Sequence, residues 1–165
     1  MDTINILKQR KSIRKYKPNQ KIDKKDLELI IDAARYAPTA NNTQGWAFVV
    51  VTDENLRKQM AEYARWGRFI KDASACVAVL YKKDSQYIIE DGSAASAYIC
   101  VAAKALNLGT CWVASYKKEH SEKVKDLLNV PDNYELFSLI AIGVPDEDPS
   151  REKKPLNEIL HWEKF

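Results

Sequence analysis

In the first third of the chain, apolar positions recur at helical spacing and then give way to unbroken apolar runs. Ile4, Ile6 and Leu7 follow Asp2 or Thr3, either of which can cap a first helix. Asp23-Lys-Lys-Asp26 reads as a capped start for a second helix carrying Leu27, Ile30, Ile31 and Ala34, which Pro38 ends. A polar loop from Thr39 to Gly45 precedes Trp46-Ala-Phe-Val-Val-Val51, whose continuous apolar run predicts a buried strand. Asp53 opens a third helix running to about Trp66, and Ala75 to Tyr81 is a second strand. From about Gln86 to Leu106 the chain is Ala-rich and mostly apolar, which predicts a long, central, buried helix with Asp91 as a local cap and Leu108-Gly109 as its stop. Thr110 to Ala114 is a short strand, residues 119–129 an amphipathic helix ended by Pro131, and Glu135 to Val144 the last long strand. Beyond Pro145 only Leu156, Ile159, Leu160, Trp162 and Phe165 interrupt a polar tail, which is expected to dock on a partner subunit. Helices and strands mix without a βαβ rhythm, so the class is α+β. No repeat or linker divides residues 1–165, and one domain is expected.

Composition narrows this picture. With 165 residues, 45% hydrophobic and 30% charged, the chain can bury a core without disulfides or metal. No stretch approaches the ~20 apolar residues of a membrane span, and no signal-peptide core is seen near Met1. Three cysteines (Cys76, Cys100, Cys111) without a CxxC pair imply no disulfide framework. The expectation is an intracellular, cytoplasmic protein with no membrane partner. Charge is uneven: residues 1–25 hold nine Lys/Arg against two acids, on a chain whose net charge is only +3. That arm suits an anionic partner, either nucleic acid or a phosphate-bearing small molecule. Nucleic acid is disfavoured, because the arm's only aromatic is Tyr16 and the remaining chain is acidic.

Several chemistries lack their parts. Gly45, Gly67, Gly92, Gly109 and Gly143 are too scattered for GxGxxG or a Walker loop. His120 and His161 are far apart, so no His-rich metal site is expected, and no serine sits in a GxSxG elbow. The cysteines read as packing. With no protein nucleophile, base or metal evident, no catalytic side chain is assigned, and a cofactor would carry any chemistry.

Arg10-Lys-Ser-Ile-Arg14 places two guanidiniums four residues apart around a hydroxyl, a pattern suited to gripping a phosphate. It is followed in order by Ala37-Pro-Thr-Ala-Asn-Asn-Thr-Gln-Gly-Trp-Ala-Phe48, Leu108-Gly-Thr-Cys-Trp-Val-Ala-Ser115, Ala141-Ile-Gly-Val-Pro145 and Arg151-Glu-Lys153. Together these segments resemble the flavin-dependent nitroreductase family over essentially the whole chain. The resemblance implies a three-layer α+β fold, a central mainly antiparallel sheet flanked by helices, in an interlocked homodimer with FMN at the interface. It also implies transfer of hydride from NADH or NADPH through FMN to an electron-poor acceptor such as a nitroaromatic or quinone. The alternative is an FMN storage protein without turnover. By the same resemblance, Arg10, Lys11 and Ser12 lie near the phosphate and ribityl chain, and Arg14 beside the pyrimidine edge. Pro38, Thr39, Ala40 and Asn42 belong to the loop laid against the partner's flavin. Ala114 and Ser115 border N5, where an N–H donor tunes hydride transfer, and Arg151 and Lys153 supply a second phosphate contact. The chain departs from many members at Gly45 and Ala114-Ser115. Trp66 and Phe69 stand where longer members offer polar contacts, so either the short form supplies those contacts differently or an aromatic wall replaces them over the substrate site.

Overall fold

The computed structural model describes residues 3–165, so the capping role considered for Asp2 lies outside the described residues. The elements are α1 (Thr3–Gln9), α2 (Lys24–Ala34), β1 (Trp46–Val51), α3 (Glu54–Tyr63), β2 (Ala75–Lys82), α4 (Ile88–Ala105), β3 (Gly109–Ala114), α5 (Ser121–Leu127) and β4 (Tyr134–Gly143). Three short 3-10 turns lie at Ala40–Asn42, Arg68–Asp72 and Leu156–Glu158. The strands form one antiparallel sheet in the order β1-β2-β4-β3. β2 and β4 are covered on both faces, which is why they read as continuous apolar runs instead of alternating ones.

Alternation within β2 divides the core. Cys76, Ala78 and Leu80 face α3 and α5 with Met60, Ala61, Val124 and Leu136. Val77, Val79 and Tyr81 face α2 and α4 with Ile30, Ile99, Cys100 and Phe137. The result is three layers, as expected of the α+β class. A register shift between Val79 and Leu80 leaves Phe137 as an extra residue in β4. Its carbonyl accepts two N–H groups, from Ser115 at 3.1 Å and Tyr116 at 2.9 Å, and this ends β3.

Two boundaries differ from the sequence reading. α3 stops at Tyr63, because Ala64 is buried in a non-helical conformation and a turn from Ala64 to Gly67 (N–H to carbonyl 2.7 Å) swings Trp66 out to 81% exposure. α4 is stopped by Asn107, which takes the left-handed conformation (φ 60°) while the Leu108 N–H reaches back to the Ala103 carbonyl at 2.9 Å. Gly109 belongs to β3.

Candidate functional site

The basic arm is pinned across one end of the sheet. Ser12 forms a parallel bridge with Thr110, the Ile13 N–H donates to the Thr110 carbonyl at 2.8 Å, and Tyr16 bridges Pro145. Ile13 and Tyr16 are buried, which leaves Arg14 and Lys15 exposed and Arg10, Lys11 and Ser12 half-buried. Two glycines allow this approach. A Cβ on Gly109 would lie 2.8 Å from Ile13 Cγ1, and one on Gly143 would lie 2.6 Å from Tyr16 Cδ1. Gly143→Ala is therefore expected to cost about 1–3 kcal/mol, as overpacking does. A urea-unfolding midpoint equal to that of the wild type would contradict this.

Glu147 clamps the arm from the other side, accepting the N–H of Arg14 at 2.6 Å and of Lys15 at 3.1 Å. These donors hold its carboxyl below the usual glutamate range. A depressed pKa means stability that is whole above the ordinary glutamate range and is lost as pH falls through the lowered value. Glu147→Gln is expected to remove that limb from a plot of unfolding midpoint against pH; an unchanged acid limb would contradict the clamp.

Arg14 stands in the wall of a cavity of about 510 Å³ with Tyr63, Trp66, Phe69, Trp112 and His120. Its guanidinium lies 5.9 Å from the Phe69 ring centre, and that of Arg65 lies 5.2 Å from Trp66. His120 Nε2 is 2.9 Å from the Ser115 hydroxyl, and burial lowers its pKa, which favours the neutral imidazole.

β3 is an edge strand and forms the cavity's rim. Because the Thr110 carbonyl meets Ile13 on the outer edge, Trp112 and Ala114 turn their N–H and C=O to that same edge by the two-residue alternation of a strand. Ser115 turns the other way. Its N–H goes to Phe137, its hydroxyl lies beside the Val113 carbonyl and His120, and its own carbonyl accepts from the Ser121 hydroxyl. Of the two residues expected at the flavin edge, Ala114 alone offers an outward N–H; the Ser115 donor is consumed by the bulged Phe137.

The remaining expected residues lie elsewhere. Arg10 and Lys11 line a separate recess of about 70 Å³, where Lys11 Nζ pairs with Asp148 at 2.5 Å. Arg151 and Lys153 are exposed on the tail, with no hydrogen bond or ion pair to the arm among the described residues.

Pro38, Thr39, Ala40 and Asn42 lead into β1, at the opposite sheet edge from β3, three strand spacings or about 14 Å away. Asn41, Asn42 and Gln44 hold left-handed φ of 51°, 54° and 48°, and the loop is fixed by a buried carboxylate. Asp91 accepts from Thr39 Oγ1 at 2.6 Å, Tyr81 Oη at 2.5 Å and the Ala40 N–H at 3.1 Å. Asp91 is therefore not the local cap expected: Tyr87 holds the N-cap position of α4 with no side-chain capping bond, and the Asp91 carboxylate is spent on Tyr81 and on a loop some fifty residues away. Within one chain, this loop and Arg14 stand at opposite edges of the sheet.

Among the described residues no three His, Cys, Asp or Glu side chains cluster as a metal site. The three thiols are free and buried, and burial pushes Cys76 up to about 12. Sequence reasoning missed Tyr63, Arg65, His120, Glu147 and the reach of Asp91. Of the wall, Trp66 and Phe69 were legible through the resemblance; Tyr63 carried no signal of its own.

Comparison with known proteins is consistent with this geometry. The model of the Nitroreductase family matches residues 7–91 and 68–144. A protein of Archaeoglobus fulgidus, provisionally named NADH dehydrogenase/NAD(P)H nitroreductase, is 35% identical over 153 residues, spanning 89% of this chain and 87% of its own length. The solved FMN-dependent nitroreductase of Clostridium difficile R20291 has a TM-score of 0.91 at 29% identity, over 98% of this chain and 99% of that one. A provisionally named nitroreductase of Desulfovibrio desulfuricans, solved in complex with FMN, gives 0.83 at 26% identity, over 100% and 98%.

Proposed function

This chain belongs to the nitroreductase family, and from that membership we propose that it is an FMN-dependent oxidoreductase using NADH or NADPH to reduce an electron-poor acceptor such as a nitroaromatic or quinone. One observation carries the reading: the Arg14 guanidinium, an aromatic wall and the outward backbone edge at Ala114 converge on a single cavity of about 510 Å³. That donor set fits a planar, electron-accepting ring, with a cation at one edge, an N–H at another and apolar faces between them. When bound, FMN would accept a hydride at N5 and pass it on. Arg14 would hold negative charge that develops at the pyrimidine edge, in a partly desolvated site where fixed charge is most effective. The Ala114 N–H would orient the ring at N5. Trp66 and Phe69 would exclude water from its rim. Arg10, Lys11 and Ser12 would take the phosphate and ribityl chain, with Lys11 exchanging Asp148 for the phosphate and Arg151 and Lys153 joining from the tail.

The reading requires a homodimer. Loop 38–42 is held at the far edge of the sheet and would serve the flavin of a second copy. Two exposed apolar surfaces support that state: Tyr98 on α4, at 42% exposure, and the tail with Leu156, Ile159, Trp162 and Phe165. A cytoplasmic location, part of the same proposal, is supported by three free thiols; among the described residues no helix is long and apolar enough to cross a membrane.

The test is an anaerobic titration of the FMN-loaded protein with NADH and then NADPH, followed by a nitroaromatic or a quinone. Bleaching near 450 nm by a nicotinamide and rapid recovery on adding an acceptor are expected. Flavin that stays oxidised, or that bleaches without passing electrons on, would favour storage over turnover.

A further inference from the structure

Among the described residues, one buried side-chain polar atom lacks a hydrogen-bond partner: Nε of Arg57 on α3. Arg57 is only 8% exposed, and among the described residues its one side-chain hydrogen bond runs from Nη1 to the Thr52 carbonyl at 2.5 Å. A buried cation so poorly matched is costly unless an anion accompanies it.

Arg57 forms part of the wall of a cavity of about 670 Å³, between the turn at residues 17–21, the β1–α3 connection and the segment leading into β2. Lys17, Lys21 and Lys71 also line it, against the carboxylates of Glu54 and Asp72. Glu54 is already engaged by Lys58 at 2.6 Å, whereas none of the three lysines forms an ion pair among the described residues. Four cations thus face two acids, one of them compensated. This cavity shares no lining residue with the one that holds Arg14, and the 3-10 turn Arg68–Asp72 runs between them, with Phe69 in one wall and Lys71 in the other.

We propose that this cavity is a second anion site, taking a phosphate group separately from the site proposed for the flavin. The buried guanidinium supplies directed N–H donors and the flexible lysines supply charge, a combination suited to a phosphate's several oxygens. A free inorganic phosphate and the phosphate of a nucleotide share this chemistry.

Calorimetric titration of the FMN-saturated protein with inorganic phosphate, and separately with 2′-AMP, tests the site. One anion is expected to bind per chain, about tenfold more weakly in Arg57→Gln, as for loss of one charge-assisted hydrogen bond. Because Arg57 is buried, the exposed double change Lys21→Gln/Lys71→Gln serves as a second variant that leaves the core untouched, and it too is expected to weaken binding. Whichever probe binds more tightly in an Arg57-dependent way names the source. Absence of binding, binding in both variants as tight as in the wild type, or displacement by excess FMN would overturn the proposal. The titration repeated without FMN separates its failure from failure of the flavin reading.

Discussion

Arg14→Ala is expected to weaken FMN binding by about tenfold to a hundredfold, the range of one or two charge-assisted contacts, while leaving the fold intact. The side chain is exposed and its guanidinium lies over the Phe69 ring at 5.9 Å, so removing it opens no hole in the core. Its backbone is what holds the arm, through the N–H to Glu147 at 2.6 Å, and alanine keeps that bond. Loss of affinity with an unchanged unfolding midpoint therefore isolates the charge. Arg14→Lys is expected to fall between, since an ammonium keeps the charge but not the planar fork. Fluorescence titration of free FMN measures all three proteins. Equal affinity in wild type and Arg14→Ala would remove Arg14 from the site.

Asp91→Ala is expected to be the most damaging single change to stability, by about 3 kcal/mol or more. It strips the shared acceptor from the Thr39 hydroxyl, the Tyr81 hydroxyl and the Ala40 N–H at once. A buried donor left unpaired costs about 1–3 kcal/mol; Tyr81 is buried, the Thr39 and Ala40 donors are part-buried, and together they set the loss expected. For a chain of this size that is a fall in melting temperature of about 6–12 °C, at roughly 2–4 °C per kcal/mol. Asp91→Asn keeps one acceptor oxygen and is expected to fall less. Because the loop it holds would serve the flavin of a second copy, FMN retention should drop alongside stability. A melting temperature within a degree or so of wild type would contradict the network.

What the sequence made legible follows its physics. β2 is an unbroken apolar run because a strand covered on both faces needs no alternation, and α2 shows its buried face in Leu27, Ile30 and Ala34. β1 reads the same way but is an edge strand, half-buried over most of its length with only Val51 fully buried, so its apolar run overstated its burial. Asp53 reads as a cap and is one, accepting the Leu56 N–H at 2.8 Å. Illegible features depend on partners distant in sequence. Asp91 resembles any acid in a first helical turn until Thr39 and Tyr81 arrive beside it. The Phe137 bulge adds one apolar residue to an apolar run, with no mark of its own, yet it decides that Ala114 and not Ser115 turns its N–H outward. The helix stop passed from Gly109 to Asn107 because an asparagine also tolerates the left-handed conformation, while the glycine was required by Ile13. Arg10, Arg14 and the residues of loop 38–42 were legible as a set, but their separation across the sheet was not, since spacing along a chain carries no information about which edge a strand will occupy.

The most direct test of a shared flavin site is gel filtration of the FMN-loaded protein with light scattering and visible absorption recorded on the same peak. A mass of two chains carrying about one flavin per chain, with a two-band spectrum, is the predicted result. A colourless peak, or flavin carried stoichiometrically by a single chain, would contradict the account, the first by removing the cofactor and the second by showing that loop and arm need no second copy to meet.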